Sequence, residues 1–165
     1  MSADGIVTYW NQVNPSRREL YLSPYSKGLL GFHDYNDCNE NDNPKHILAS
    51  VTDSKFVPSE NVVHVFDVWG SEVLNNSGKC SVIVIDELGF LESGAHIFQQ
   101  AVMKRLAGEI PILGIVRAMQ TEFLDTVRAH RNVVVLEVTA KNREEVLERL
   151  LCFDFGAPDE GIASG

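Results

Sequence analysis

The stretch Ser81-Val82-Ile83-Val84-Ile85-Asp86-Glu87 decides the fold class of this chain of 165 residues. Its unbroken β-branched run lacks the polar alternation of a surface strand, which favours a strand buried on both faces of a parallel sheet. Asp86 and Glu87 follow directly. Because ligands of open α/β sheets bind at the carboxyl ends of the strands, these two acids mark the edge where a functional site is expected.

Downstream of this run, strands and helices alternate in the predicted structure. Apolar spacing predicts helices over 93–107, 121–130 and 142–152, and β-branched runs predict strands over 112–116 and 133–138. Such alternation means parallel strands joined by crossover helices, so we expect an α/β fold with a mainly parallel, three-layer sheet. The inward face of the first of these helices is expected to carry Ile97, Phe98, Ala101, Val102 and Leu106.

Upstream of the run, the chain is predicted to begin with a β-hairpin and to continue into a helix. Two extended pieces, 6–10 and 19–22, flank the turn signal Asn14-Pro15-Ser16. Between them and the fold-deciding run, apolar residues at spacings of four, three and four predict a helix over 60–75. That helical face is formed by Val62, Phe66, Trp69 and Val73.

The length suits one domain, which we divide into a β-rich extension (1–58), an α/β core (59–153) and a flexible tail (154–165). Within the extension, the polar stretch 34–44 is expected to form an exposed loop. The strand 81–85 is expected to lie centrally in the sheet.

Bulk composition excludes some partners and indicates a compartment. A formal net charge of −9 opposes non-specific attraction to nucleic acid or to anionic membranes. The three cysteines, Cys38, Cys80 and Cys152, share no C-x-x-C spacing, and no apolar run is long enough to span a bilayer. We therefore expect a reduced, cytoplasmic protein without nucleic-acid or membrane partners.

Four apolar residues followed by Asp-Glu form the Walker B pattern of nucleotide hydrolases. In that pattern Asp86 would hold Mg²⁺ through its water shell, and Glu87 would orient or deprotonate the attacking water. The alternative is that both acids simply solvate the end of a buried strand.

The sequence that flanks this pattern resembles one protein family. Asp86-Glu87-Leu88-Gly89-Phe90-Leu91-Glu92 is followed by Gly114 and then by Val138-Thr139-Ala140-Lys141-Asn142-Arg143. This order resembles the Thep-type nucleoside-triphosphatase family, including its human cancer-related member, which pairs an Asp-Glu-Ile-Gly-x-Met-Glu block with a later Thr-x-x-Asn-Arg block. The resemblance runs from about residue 5 to 151 and implies a P-loop fold, Mg²⁺ and a nucleoside triphosphate such as ATP or GTP.

The resemblance also assigns nucleotide contacts. It implies that Asn142 and Arg143 lie beside the nucleobase and ribose, where an amide can bond a base edge and a guanidinium can stack. Arg117 stands at a basic position of the family and could contact phosphate. The alternatives are that Asn142 caps the last helix and that Arg143 and Arg117 are solvated.

No G-x-x-x-x-G-K-[ST] phosphate-binding loop (Walker A) occurs in the sequence. The nearest imitation, Ser77-Gly78-Lys79-Cys80-Ser81, runs into a strand and lacks the helix that would hold a phosphate, so Lys79 is interpreted as a surface turn residue. By resemblance, the first strand, P-loop and first helix would lie before Met1. The resemblance also places that missing strand between 81–85 and 112–116. We expect this gap to be closed by direct pairing of the two strands, which would destroy the nucleotide crevice, or else by a strand from another chain.

These observations predict a nucleoside-triphosphatase-like, nucleotide-binding protein that is inactive or very weak alone, because phosphoryl transfer depends on positioning and charge neutralisation. A partner chain could supply the missing P-loop unit. Two alternatives stay open: a catalytically dead interaction or scaffold module, and an unrelated α/β enzyme that uses Asp86, Glu87 and Glu92 as a metal cluster.

Overall fold

The computed structural model describes residues 2–25 and 46–152. The polar stretch 34–44 and the tail from Asp154, for which an exposed loop and fraying are predicted, lie outside these residues. Within them, no helix is long and apolar enough to cross a membrane.

A single six-stranded sheet organises the fold. Its strands in chain order are β1 (Ala3–Asn14), β2 (Arg17–Pro24), β3 (Ile47–Thr52), β4 (Lys55–Pro58), β5 (Val82–Leu88) and β6 (Ile112–Val116). They lie side by side in the order β4-β3-β2-β1-β5-β6. Only the pairs β1/β5 and β5/β6 are parallel, and the other three pairs are antiparallel. The α/β class is confirmed, whereas the expectation of a mainly parallel sheet is wrong, because the antiparallel N-terminal strands join the same sheet.

Two hairpins form the antiparallel half. The predicted turn at 15–16 connects β1 to β2, with Tyr9 paired to Tyr21. The second hairpin, β3/β4, was not predicted from the sequence. It turns at Asp53 and Ser54, which have φ angles of 48° and 66°, and turns with two positive φ angles match the twist of paired strands.

The predicted strand at 81–85 is β5, which is paired on both sides and lies one strand from the sheet edge. Ile83 and Ile85 are buried while Val82 and Val84 are half-buried, so the strand alternates more than its composition suggests. On one side Gly5 pairs with Val84, and a Cβ at Gly5 would lie 2.0 Å from the Val84 carbonyl oxygen. On the other side Ile83 pairs with Ile112, so the expected direct pairing is confirmed.

All four predicted helices are present within a few residues of their expected ends. The first, α1, spans 62–76 and contains an α-helical turn (Val62–His64), a π-helical segment (Val65–Gly70) and a final α-helical part (Ser71–Asn76). The others are α2 (His96–Leu106), α3 (Glu122–Arg128) and α4 (Arg143–Leu151).

The helices α1 and α2 pack their aromatic residues together. The rings of Phe66 and Phe98 lie 4.9 Å apart, and both side chains are fully buried. The Asp67 carboxylate accepts hydrogen bonds from the backbone N–H groups of Ile97 (2.9 Å) and Phe98 (3.0 Å), so a side chain of α1 satisfies the N-terminus of α2. The Ile97 side chain, expected to face inward, is instead 57% exposed.

The predicted strand over 133–138 is absent. These residues form no strand, and Val134, Val135 and Val138 are each more than two fifths exposed. A β-branched run favours an extended backbone, but this preference alone does not pair the run with a neighbouring strand. In the described part of the chain the outer edge of β6 has no strand beside it, and Ile115 there is 60% exposed.

Candidate functional site

A cavity of about 290 Å³ lies at the carboxyl end of β5. Residues from β1 to β5 line it, together with the segment that follows β5 and the residue that follows β6. The lining is formed by Thr8, Trp10, Leu20, Leu48, Phe56, Asp86, Glu87, Gly89, Phe90, Leu91, Glu92 and Arg117. Direct pairing of β5 with β6 was expected to remove the crevice, but this cavity is present.

Asp86 is bound to the neighbouring strand. Its Oδ2 atom accepts hydrogen bonds from the backbone N–H (3.2 Å) and the hydroxyl (3.4 Å) of Thr8 on β1. Its Oδ1 atom makes no hydrogen bond to any described residue. One carboxylate oxygen is thus oriented by the protein while the other is available to a ligand or to the water shell of a metal ion.

Glu87 adopts a left-handed backbone conformation, with φ of 58°. Outside glycine this conformation costs roughly 1–2 kcal/mol, and such residues occur often at functional sites. The Glu87 carboxylate forms an ion pair with the Arg117 guanidinium, and the Arg117 backbone N–H donates to the Leu88 carbonyl at 2.9 Å. The side chain of Glu87 is 36% exposed and that of Arg117 is 55% exposed.

Glu92 is the buried acid of the cavity, with only 3% of the residue exposed. Its Oε2 atom accepts a hydrogen bond from the Gly89 backbone N–H at 2.8 Å. Burial raises the pKa of this carboxyl, and the Gly89 hydrogen bond opposes the rise. The metal-cluster alternative is wrong for the described residues, because no three acidic, His or Cys side chains among them are placed to hold an ion.

Three aromatic rings form one wall of the cavity. The centroids of Trp10 and Phe56 are 6.4 Å apart with planes at 74°, and those of Phe56 and Phe90 are 5.7 Å apart at 64°. Each of the three residues is about two fifths exposed. These residues were not predicted from the sequence, since they come from three separate segments and only the sheet order brings them together.

Asn142 and Arg143 do not line this cavity. The Asn142 Oδ1 atom accepts from the backbone N–H (2.7 Å) and the hydroxyl (2.9 Å) of Thr139, and its Nδ2 donates to the Glu137 carbonyl at 2.9 Å. Asn142 precedes α4, but its side chain makes no capping bond to that helix. Arg143 begins α4 and is exposed. The structure therefore brings Asp86, Glu87 and Arg117 together and leaves Asn142 and Arg143 outside their cavity.

Comparison with known proteins gives a family match. Residues 33–151, more than half of the chain, match the model of a protein family described as NTPase. The nucleoside-triphosphatase THEP1 of Natranaerobius thermophilus is 28% identical over 94 residues, which cover 57% of this chain and 52% of that relative. THEP1 of Thermotoga petrophila is 27% identical over 71 residues, which cover 43% of this chain and 40% of the relative. The chain thus spans about half the length of these curated relatives or less, and no solved structure matches it significantly.

Proposed function

Because the chain belongs to the NTPase family, we propose that it binds a nucleoside triphosphate with Mg²⁺. In this proposal the chain contributes the residues that bind the metal and position the attacking water. The observation that supports this most is the position of Asp86 and Glu87, which share a cavity with Arg117 at the carboxyl end of β5. This is the edge at which open α/β sheets bind ligands.

In this proposal Asp86 is the metal residue. Its Oδ2 is held by Thr8, so its Oδ1 would be the oxygen that accepts from the water shell of Mg²⁺. Mg²⁺ retains several waters and is often bound through one or two carboxylates plus substrate phosphates, so a single protein ligand is compatible with this role.

Glu87 is the proposed catalytic carboxylate, which orients or deprotonates the attacking water. Its ion pair with Arg117 occupies it in this structure. A bound phosphate would compete for Arg117, because a guanidinium binds phosphate oxygens as readily as carboxylate oxygens. Phosphate binding would then release Glu87 for the water.

We propose that catalysis by these residues alone is absent or very weak. The sequence contains no Walker A loop, and a cavity of about 290 Å³ with three acidic side chains and one arginine disfavours an unassisted polyphosphate. A phosphate-binding unit outside these residues, on another chain for example, would complete the site. A strand of such a unit would have to pair with the open edge of β6, because β5 is already paired on both sides in the described structure.

Asn142 and Arg143 are retained as proposed base and ribose contacts on family resemblance. Arg143 is exposed and can reach a ligand, whereas Asn142 would have to exchange its bonds to Thr139 and Glu137. A second candidate function, an interaction or scaffold module without catalysis, is favoured by that internal use of the Asn142 amide.

Calorimetric titration with Mg-ATP and Mg-GTP tests the proposal. The Asn142→Ala/Arg143→Ala double variant should bind by about 1–3 kcal/mol less tightly if buried partners are left unpaired. Any hydrolysis should disappear in Glu87→Gln and persist in the control Glu109→Gln, which changes an exposed acid. No binding of either nucleotide, even with a P-loop unit added, would favour the scaffold function.

A further inference from the structure

The rings of the aromatic wall meet at steep angles, as the walls of an aromatic cage do. Neighbouring rings meet at 74° and 64°, so Trp10, Phe56 and Phe90 form adjoining walls instead of a parallel slot. A parallel slot would suit a flat ring, whereas adjoining walls surround a compact group. Aromatic faces carry partial negative charge and attract cations, and such cages recognise alkylated ammonium groups.

The ring of Trp10 already attracts a cation of the protein itself. The Arg18 guanidinium carbon lies 4.8 Å from its ring centroid. Arg18 does not line the cavity, whereas Trp10 does. Trp10 can therefore contact a ligand in the cavity.

Glu92 supplies a second, independent feature. Its carboxyl is hydrogen-bonded to the backbone N–H of Gly89 and to its own backbone N–H. Among the described residues it makes no hydrogen bond or ion pair to another side chain. Since Glu92 lines the cavity and is only 3% exposed, a ligand can reach its carboxyl only through the cavity.

The charged residues of the cavity determine whether it favours a cationic or an anionic ligand. Arg117 is paired with Glu87, while Asp86 and Glu92 have no ion pair with any described residue. Two uncompensated carboxyl groups disfavour an anion and favour a cation. The volume of about 290 Å³ lies at the small end of ligand pockets, which suits a compact group.

We propose that this cavity binds a small alkylated ammonium group, held against Trp10, Phe56 and Phe90, whose N–H donates to Glu92. Asp86 adds negative charge beside it. The inference does not rest on the nucleotide proposal, because the three rings and Glu92 have no role there. An ammonium ligand and Mg²⁺ would, however, compete for the negative charge of Asp86.

The test uses the full chain labelled with ¹⁵N, with the indole N–H signal of Trp10 as the reporter. Trimethylammonium chloride should shift this signal in a saturable way, whereas tert-butyl alcohol, a neutral group of similar shape, should not. Sodium chloride at equal ionic strength is the salt control. This comparison needs no variant, so it does not depend on the folding of an altered chain.

Variants then locate the site. Phe90→Leu and Glu92→Gln should each weaken trimethylammonium binding by about fivefold or more, because each removes one of the two attractive features. The matched control, Val68→Ala, changes an exposed apolar residue of α1 and should leave binding unchanged. Equal shifts by the neutral alcohol, shifts with MgCl₂ but not with trimethylammonium, or no shift at all would each overturn the proposal.

Discussion

Glu87 and Arg117 form an ion pair between the carboxyl ends of β5 and β6. The pair joins Glu87, the second acid at the end of β5, to the first residue after β6, and a backbone hydrogen bond from Arg117 to Leu88 fixes the same junction. Because both side chains are more than a third exposed, the pair contributes little to stability. Its importance is positional, since it holds Glu87 beside the guanidinium of Arg117, which lines the cavity.

The backbone of Glu87 should be strained by its left-handed conformation. Both Glu87→Gly and Glu87→Ala remove the ion pair, but only glycine adopts positive φ without steric cost. The free energy of unfolding, measured with urea, should therefore be about 1 kcal/mol higher for the glycine variant than for the alanine variant. Equal stability of the two variants would show that the site stores no backbone strain.

Gly5 should be essential to the pairing of β1 with β5. An alanine Cβ there would lie 2.0 Å from the Val84 carbonyl oxygen, and φ is 129°. We expect Gly5→Ala to lower the free energy of unfolding by at least about 2 kcal/mol or to prevent folding. At Gly78 an added Cβ meets nothing within 4 Å, so Gly78→Ala serves as the control and should be nearly neutral.

Asp67 should stabilise α2 by capping it from α1. Asp67→Ala removes the acceptor of two backbone N–H groups and is expected to cost about 1 kcal/mol of unfolding free energy. The control is Glu72→Ala, which changes an exposed acid on the same helix. Urea denaturation of the two variants is the measurement, and an equal loss in both would argue against the cap.

Glu92 should make stability depend on pH. Its pKa is raised in the folded protein, so the folded state binds the proton more tightly than the unfolded state does. The proton on Glu92 therefore contributes to the free energy of unfolding. This contribution is fully present below the carboxyl's pKa in the unfolded chain and is lost as the pH rises through its pKa in the folded protein. Wild type should therefore lose stability relative to Glu92→Gln as the pH increases through that window.

Urea denaturation of both proteins from acidic to neutral pH measures this difference. The other charged residues of the cavity, Asp86, Glu87 and Arg117, are the same in both proteins, so the comparison isolates the change at Glu92. A pH-independent difference between wild type and Glu92→Gln would contradict the raised pKa.

The sequence predicted the helices and strands whose own apolar residues recur at a regular spacing. β5, β6 and the four helices were found because apolar spacing reflects the face that each buries. The same pattern failed over 133–138, where the run has no paired neighbour in the described structure, and at Ile97, where one apolar position lies outside the buried face. Local composition cannot report the presence of a partner strand.

The candidate site was predictable only in part. Asp86 and Glu87 stand in a short motif, so sequence order alone places them at a strand end. Trp10, Phe56 and Phe90 converge through the strand order β4-β3-β2-β1-β5-β6, which no local pattern encodes. The burial of the Glu92 carboxyl likewise depends on the packing of the whole sheet, which sequence order does not show.

Calorimetric titration of Mg-ATP and Mg-GTP into wild type and Asp86→Asn is the most direct test of the proposed metal role. Asparagine keeps an oxygen that can accept from Thr8 but removes the charge that attracts Mg²⁺. We expect the variant to bind the better nucleotide at least about tenfold more weakly, which corresponds to about 1.4 kcal/mol. The control Glu109→Gln should match wild type. Equal affinity of wild type and Asp86→Asn for both magnesium nucleotides would contradict the assignment of Asp86 and, with it, the proposed Walker B role of this site.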